Sequence, residues 1–143
     1  MAAVAPERTR VLIVDDVPQN RLLLGVICEQ LGFQHEPAEN GYEAVDAVRS
    51  GRFDIVLMDI LMPRMDGMSA ARAIRALPGP VSEVPIVAVT TAAAPGEVLR
   101  YLSCGMNDVV PKPVERGRLA TAIRDALAAR EAAMQEPGER SAA

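Results

Sequence analysis

The chain reads as a doubly wound α/β sandwich on a five-stranded parallel sheet. Three observations predict this. Short runs that are apolar throughout recur along the 143 residues. Strands buried on both faces carry such runs, whereas half-exposed strands alternate, so the pattern marks a parallel sheet. Between the runs the apolar spacing turns helical, giving repeated strand–helix units with right-handed crossovers. The length suits one domain, on the usual figure of roughly 100–200 residues. Half the residues are hydrophobic but only 3% are aromatic and none is Trp, so the core is aliphatic.

Each element follows in order. Residues 10–14 (RVLIV) form the first strand, which stops at Asp15-Asp16. Pro18 suits the first turn of the next helix, where its missing N–H is no loss; Leu23, Ile27 and Leu31 are its apolar stripe. Residues 33–36 are a weaker strand. Asn40 with Glu43 resembles a capping box and opens a helix with Gly41, Ala44, Val45 and Val48 inward. Residues 54–58 (DIVLM) form a third strand and stop at Asp59. Asp66 precedes a helix whose stripe is Ala70, Ile74 and Leu77. Residues 85–89 (PIVAV) stop at Thr90-Thr91, and Val98 with Leu102 marks the fourth helix. Val109-Val110 stops at Pro111-Lys112, and Leu119, Ile123 and Leu127 complete the pattern. The folded region spans 9–130, with a flexible start over 1–8 and a disordered tail over 131–143, where Pro137, Gly138 and charge replace apolar periodicity.

Composition excludes several functions. A net charge of −4 is no footprint for nucleic acid. No apolar run approaches the ~20 residues of a membrane-spanning helix, and residues 1–10 lack the apolar centre of a secretory signal. A cytoplasmic protein is expected. Cys28 and Cys104 have no paired spacing, and His35 is the only histidine, so they read as packing residues rather than a metal or catalytic pair. Met58, Met68 and Met106 read as core filler, and Asp66 and Asp108 as cap or turn residues.

In such sheets ligands bind beyond the carboxyl ends of the strands. Asp15, Asp16, Asp59, Thr90 and Lys112 all lie just past a strand, so carboxylates, a hydroxyl and an ammonium converge on one rim. Crowded carboxylates repel unless a cation intervenes. Oxygen ligands with room for water and phosphate suit Mg²⁺, and Asp59 could then serve as a carboxylate nucleophile forming an acyl phosphate.

These residues carry a resemblance. Val14-Asp15-Asp16, the Met58-Asp59-Ile-Leu-Met-Pro63 stretch with Met65-Asp66-Gly67, Thr90 and Lys112-Pro113 resemble the receiver domain of two-component response regulators, over roughly residues 8–130. The resemblance implies a flavodoxin-like fold with strand order 2-1-3-4-5. It also implies phosphoryl transfer to Asp59 from a phosphohistidine on a sensor histidine kinase or histidine phosphotransfer protein. Asp16, Asp59 and the backbone carbonyl of Leu61 would bind Mg²⁺, with Asp15 acting through water. Lys112 and Thr90 would hold phosphoryl oxygens, and the Lys112–Pro113 bond would be cis. Residues 16–24 and Gly105-Met-Asn-Asp108 resemble receivers of hybrid kinases and phosphorelays. A stand-alone regulator is expected, since the segment after 130 is too short for a DNA-binding module. Its output would pass through a phosphorelay or an unknown downstream protein, without nucleic acid or membrane.

Some positions depart from the family. Val109 stands where many receivers carry Tyr or Phe, so activation is expected to move residues 91–102 instead of a ring on the fifth strand. Thr91 replaces a smaller residue and is expected to crowd the pocket. Leu61 and Ala92 cannot position a hydrolytic water, which implies slow loss of phosphate. The rival reading is a Mg²⁺-dependent phosphohydrolase with an Asp nucleophile, but such enzymes commonly place a second Asp where Leu61 stands. A flavin carrier is a third reading, opposed by the absence of a Ser/Thr-rich phosphate loop and by the Asp15-Asp16 charge.

Overall fold

The computed structural model describes residues 8–135. Five strands, β1 (Arg10–Val14), β2 (Gln34–Ala38), β3 (Ile55–Asp59), β4 (Ile86–Thr90) and β5 (Asp108–Pro111), alternate with five helices. These are α1 (Pro18–Gln30), α2 (Gly41–Arg49), α3 (Gly67–Arg75), α4 (Pro95–Ser103) and α5 (Arg116–Met134). All strands pair in parallel in the order β2-β1-β3-β4-β5. The order reverses between β1 and β3, which opens a crevice beyond their carboxyl ends.

Strand alternation splits the core in two. Leu12, Val14, Val56, Met58, Ile86 and Ala88 face α2, α3 and α4, packing with Ala44, Val48, Ala70, Ile74 and Tyr101. Val11, Ile13, Ile55, Leu57, Val87 and Val89 face α1 and α5, packing with Leu24, Ile27, Leu119 and Ile123. Every residue of β3 and β4 is buried, which is why both are apolar up to their last residues, Asp59 and Thr90.

Several expectations are corrected in detail. β2 runs to Ala38 and includes Pro37; it is an edge strand, where a missing N–H is tolerated. The buried face of α1 is Leu24, Ile27 and Cys28, whereas Leu23 is half exposed. Three consecutive leucines, 22–24, left the helical phase ambiguous. In α4 the single buried side chain is Tyr101, and Leu102 faces out. α5 continues to Met134, because residues 131–134 are Glu, Ala, Ala and Met, all good helix formers. The expected flexible start lies outside the described residues apart from Arg8, and so does the expected tail beyond residue 135.

The start signals act as expected. Pro18 opens α1, Asn40 accepts from the Glu43 amide, and Asp66 accepts from the Ser69 amide. The Glu43 carboxylate reaches back to the Glu39 amide rather than that of Asn40. Cys28 and Cys104 are buried free thiols, and burial pushes the Cys28 thiol up to about 12. His35 packs over Gly25, where an added Cβ would collide with its ring, and its Nε2 lies 2.7 Å from the Glu29 carboxylate.

Candidate functional site

The carboxyl edge of the sheet gathers the polar residues that end the strands. Asp15 follows β1, Asp59 is the last residue of β3, Thr90 the last of β4, and Lys112 follows β5. Asp15, Asp59 and Thr90 are buried, and Asp16 is half-buried. Each carboxylate of Asp15, Asp16 and Asp59 offers an oxygen within 4.8 Å of the others. Lys112 Nζ reaches between two of them, 3.1 Å from Asp15 Oδ2 and 3.5 Å from Asp59 Oδ1.

Local folding fixes these positions. Asp15 Oδ1 accepts from the Val17 amide at 2.9 Å, which turns the chain into α1, and the Arg21 guanidinium donates to the Asp15 carbonyl at 2.6 Å. The loop after Asp59 closes where the Gly67 amide donates to the Ile60 carbonyl at 2.9 Å. A Cβ on Gly67 would collide with the Asp59 carbonyl oxygen, so α3 can approach the end of β3 this closely only with glycine there. Within this loop Arg64 adopts φ 71°, the left-handed region that costs a non-glycine residue energy. On the far side, the Lys112 amide donates to the Thr90 carbonyl at 2.9 Å, and the Lys112–Pro113 bond is cis, as the resemblance implied.

Burial first, and the Asp15 carboxylate second, push the Asp59 carboxyl up to about 6; Lys112 and the Ile60 amide act against them. One ammonium faces three carboxylates, so the rim keeps anionic character. The donors are all oxygen, with no thiolate or imidazole among them, and such a set fits a hard cation such as Mg²⁺.

Leu61 lies in the exposed part of the loop, with 65% of its surface accessible. Thr91 is exposed as well, so it does not crowd the buried site as expected. Asp108 pairs with Arg118 at 3.2 Å, away from the cluster. Two contacts escaped the sequence reading: Arg21 on the Asp15 carbonyl, and the bond from the Tyr101 hydroxyl to the Ala92 carbonyl beside Thr90. An arginine or tyrosine on a helix gives no sign of which distant carbonyl it will meet.

The Response regulator receiver domain family matches residues 11–124. The chain belongs to that family. It is 44% identical over 116 residues to the sensor protein GacS of Pseudomonas syringae pv. syringae, covering 80% of this chain and 13% of that protein. It is 39% identical over 109 residues to the signal transduction histidine-protein kinase BarA of Escherichia coli K12, covering 76% of this chain and 12% of the kinase. The chain therefore spans about an eighth of the length of these relatives. Among solved structures, the receiver domain of the sensor histidine kinase PA1611 from Pseudomonas aeruginosa PAO1 matches with a TM-score of 0.77 and 33% identity. That match covers 84% of this chain and 98% of the other, which holds a magnesium ion coordinated in its active site cleft. The chemotaxis protein CheY4 of Vibrio cholerae matches with a TM-score of 0.76 and 26% identity over 82% of this chain and 98% of that one. This receiver is thus homologous to receiver domains of hybrid kinases, in a signalling family. A phosphohydrolase reading is not favoured. Among the described residues no helix is long and apolar enough to cross a membrane.

Proposed function

We propose that Asp59 is the phosphoacceptor of this receiver, taking a phosphoryl group from a phosphohistidine on a sensor kinase or phosphotransfer protein. The observation that carries this is the placement of Asp59: a buried carboxylate at the end of the central strand, flanked by two further carboxylates and faced by one ammonium. An Asp59 oxygen attacks phosphorus, the P–N bond breaks, and its electron pair leaves with the imidazole. The product is an acyl phosphate on Asp59. With its carboxyl near 6, Asp59 is largely ionised at neutral pH and available as a nucleophile.

Lys112, already within reach of both Asp15 and Asp59, supplies positive charge where phosphoryl oxygens gather. Thr90 supplies a hydroxyl donor from the adjacent strand. Asp16, Asp59 and the Leu61 carbonyl would hold Mg²⁺, with Asp15 acting through water, and the ion would supply positive charge between the carboxylates and the phosphoryl group. Leu61 offers no acid or base two residues after Asp59, so the chain acts once as an acceptor rather than as a turnover enzyme.

A groove of about 220 Å³ beside the site is lined by Asn20, Leu23, Leu24, Lys112, Pro113 and Val114. Leu22 and Val26 of α1 are exposed as well. This face suits the helical phosphodonor, with the signal leaving by protein contact or onward phosphotransfer in the cytoplasm.

Acetyl phosphate with Mg²⁺ tests the reading by intact-mass spectrometry. One labile adduct per chain is expected, and Asp59→Asn should abolish it. Undiminished labelling of Asp59→Asn sinks the assignment, as does steady phosphate release from ordinary esters.

A further inference from the structure

The segment joining β4 to α4 is Thr91-Ala-Ala-Ala94, followed by Pro95-Gly96 at the start of the helix, almost without side chains that can hydrogen-bond. Its shape is therefore held by backbone contacts to fixed neighbours. The Ala92 amide donates to Thr90 Oγ1 at 3.1 Å. The Ala92 carbonyl accepts from the Tyr101 hydroxyl at 2.8 Å. One alanine thus carries both bonds, one to the site and one to the helix.

Tyr101 is also the main anchor of α4. It is 2% exposed and the only fully buried side chain of that helix, whereas Leu99 and Leu102 face outward. Its ring belongs to the same core cluster as Ala88, Met106 and Val109. Burial, with Glu97 adding to it, holds the phenol above its ordinary range against a hydrogen-bonding contact with the Thr90 side chain, so the hydroxyl is a donor throughout the neutral range. Val109, at the neighbouring position on β5, is aliphatic and can make no such bond.

We propose that Tyr101, through the backbone of Ala92 and its own contact with the Thr90 side chain, couples the Thr90 hydroxyl to the seating of α4, so that an aromatic on α4 registers the state of the site. The proposal rests on the reading of Asp59 as phosphoacceptor. A threonine hydroxyl has one proton and two lone pairs, and its side chain moves between discrete rotamers. If Thr90 turns to donate to a phosphoryl oxygen on Asp59, the Ala92 amide loses its acceptor. A half-buried donor left without a partner is unfavourable, so the Ala92 backbone rotates to find another. That rotation withdraws the carbonyl from Tyr101, whose own buried hydroxyl must then be satisfied elsewhere, and α4 shifts with it. Such coupling is reciprocal, so a partner that grips α4 also changes how well Thr90 can hold phosphate.

The chain has two tyrosines and no tryptophan, which makes the test direct. In a Tyr42→Phe background, where the replaced ring is largely exposed, Tyr101 is the sole emitter. Thr90→Val keeps the shape of residue 90 without its hydroxyl. It should shift Tyr101 emission in the unphosphorylated protein, and Thr90→Ser should restore it. Identical emission in Thr90→Val and the parent would overturn the proposal. Hydrogen exchange gives the second arm. Adduct formation should raise exchange across residues 92–103 in the parent. In Tyr101→Phe, whose ring still fills the core, exchange should be raised beforehand and should not respond further. A parental response in Tyr101→Phe, with the adduct confirmed by mass, would equally overturn it. Absence of any adduct on the parent would instead defeat the phosphoacceptor reading, while the emission arm, which needs no phosphate, would still decide the coupling.

Discussion

Asp59 is held where ionisation is disfavoured, and that has a consequence for stability. Its carboxyl is pushed from 3.8 up to about 6 by burial and by Asp15. A folded-state value above the unfolded one means that the native state binds the proton more tightly. The resulting stability is fully present below about pH 4 and is lost as pH rises through about 6. Without metal, the loss should be on the order of 3 kcal/mol by neutral pH, at about 1.4 kcal/mol per unit. Asp59→Asn cannot ionise, so in EDTA it should be more stable than the parent at pH 7.5, and the gap should close near pH 4. Urea unfolding across that range checks the sign; a parent that is as stable as Asp59→Asn at pH 7.5 refutes it. At this scale much was legible, because Asp15, Asp16, Asp59, Thr90 and Lys112 each interrupt or follow an apolar run. Their ionisation was not, because it depends on burial and on distances between residues far apart in sequence.

Among the elements, α3 shows what a helix end can fasten. Arg75, in its last turn, donates to the carbonyls of Gly105, Ser82 and Val84 at 2.7–2.9 Å and to Asn107 at 3.1 Å. Asn107 in turn accepts from the Ile86 amide at 2.8 Å, so one guanidinium ties α3 to the starts of β4 and β5. Arg75→Met keeps the aliphatic stem and removes every donor. Each stranded carbonyl costs about 1–3 kcal/mol when buried, less where water can reach it. A total loss of about 2–4 kcal/mol is expected, seen as a lower urea midpoint with an unchanged slope. Phosphoacceptance should survive, since Arg75 touches none of the carboxylates. A midpoint within error of the parent's would show that water replaces the guanidinium freely. Element existence was legible from apolar runs and caps; element phase was not always. The Leu22–Leu24 triplet misplaced the inward face of α1, and the face of α4 was hidden because its anchor is a tyrosine among aliphatic residues.

For the whole molecule, the parallel sheet brings carboxylates from the ends of β1 and β3 to one point, and their mutual repulsion opposes folding unless a cation is bound. A cation that binds the native rim and not the unfolded chain stabilises by mass action. At a hundred times its dissociation constant the gain is about 2.7 kcal/mol, which for a domain of this size corresponds to roughly 8–12 °C in Tm. Mg²⁺ should therefore raise the melting temperature at pH 7.5 in a saturable manner, and EDTA should reverse it. Asp16→Ala should blunt the response most. Asp16 is the least buried of the three carboxylates, and its removal leaves the Lys112 pairings with Asp15 and Asp59 in place. At pH 5, where Asp59 largely holds its proton, the same titration should move Tm much less, because the ligand must be deprotonated to bind. A melting temperature indifferent to Mg²⁺ at pH 7.5, in protein that still labels with acetyl phosphate, would mean that Lys112 alone offsets the carboxylates. A response equal at both pH values would instead place the cation away from Asp59, since only its contact with that carboxylate ties binding to a proton lost near pH 6.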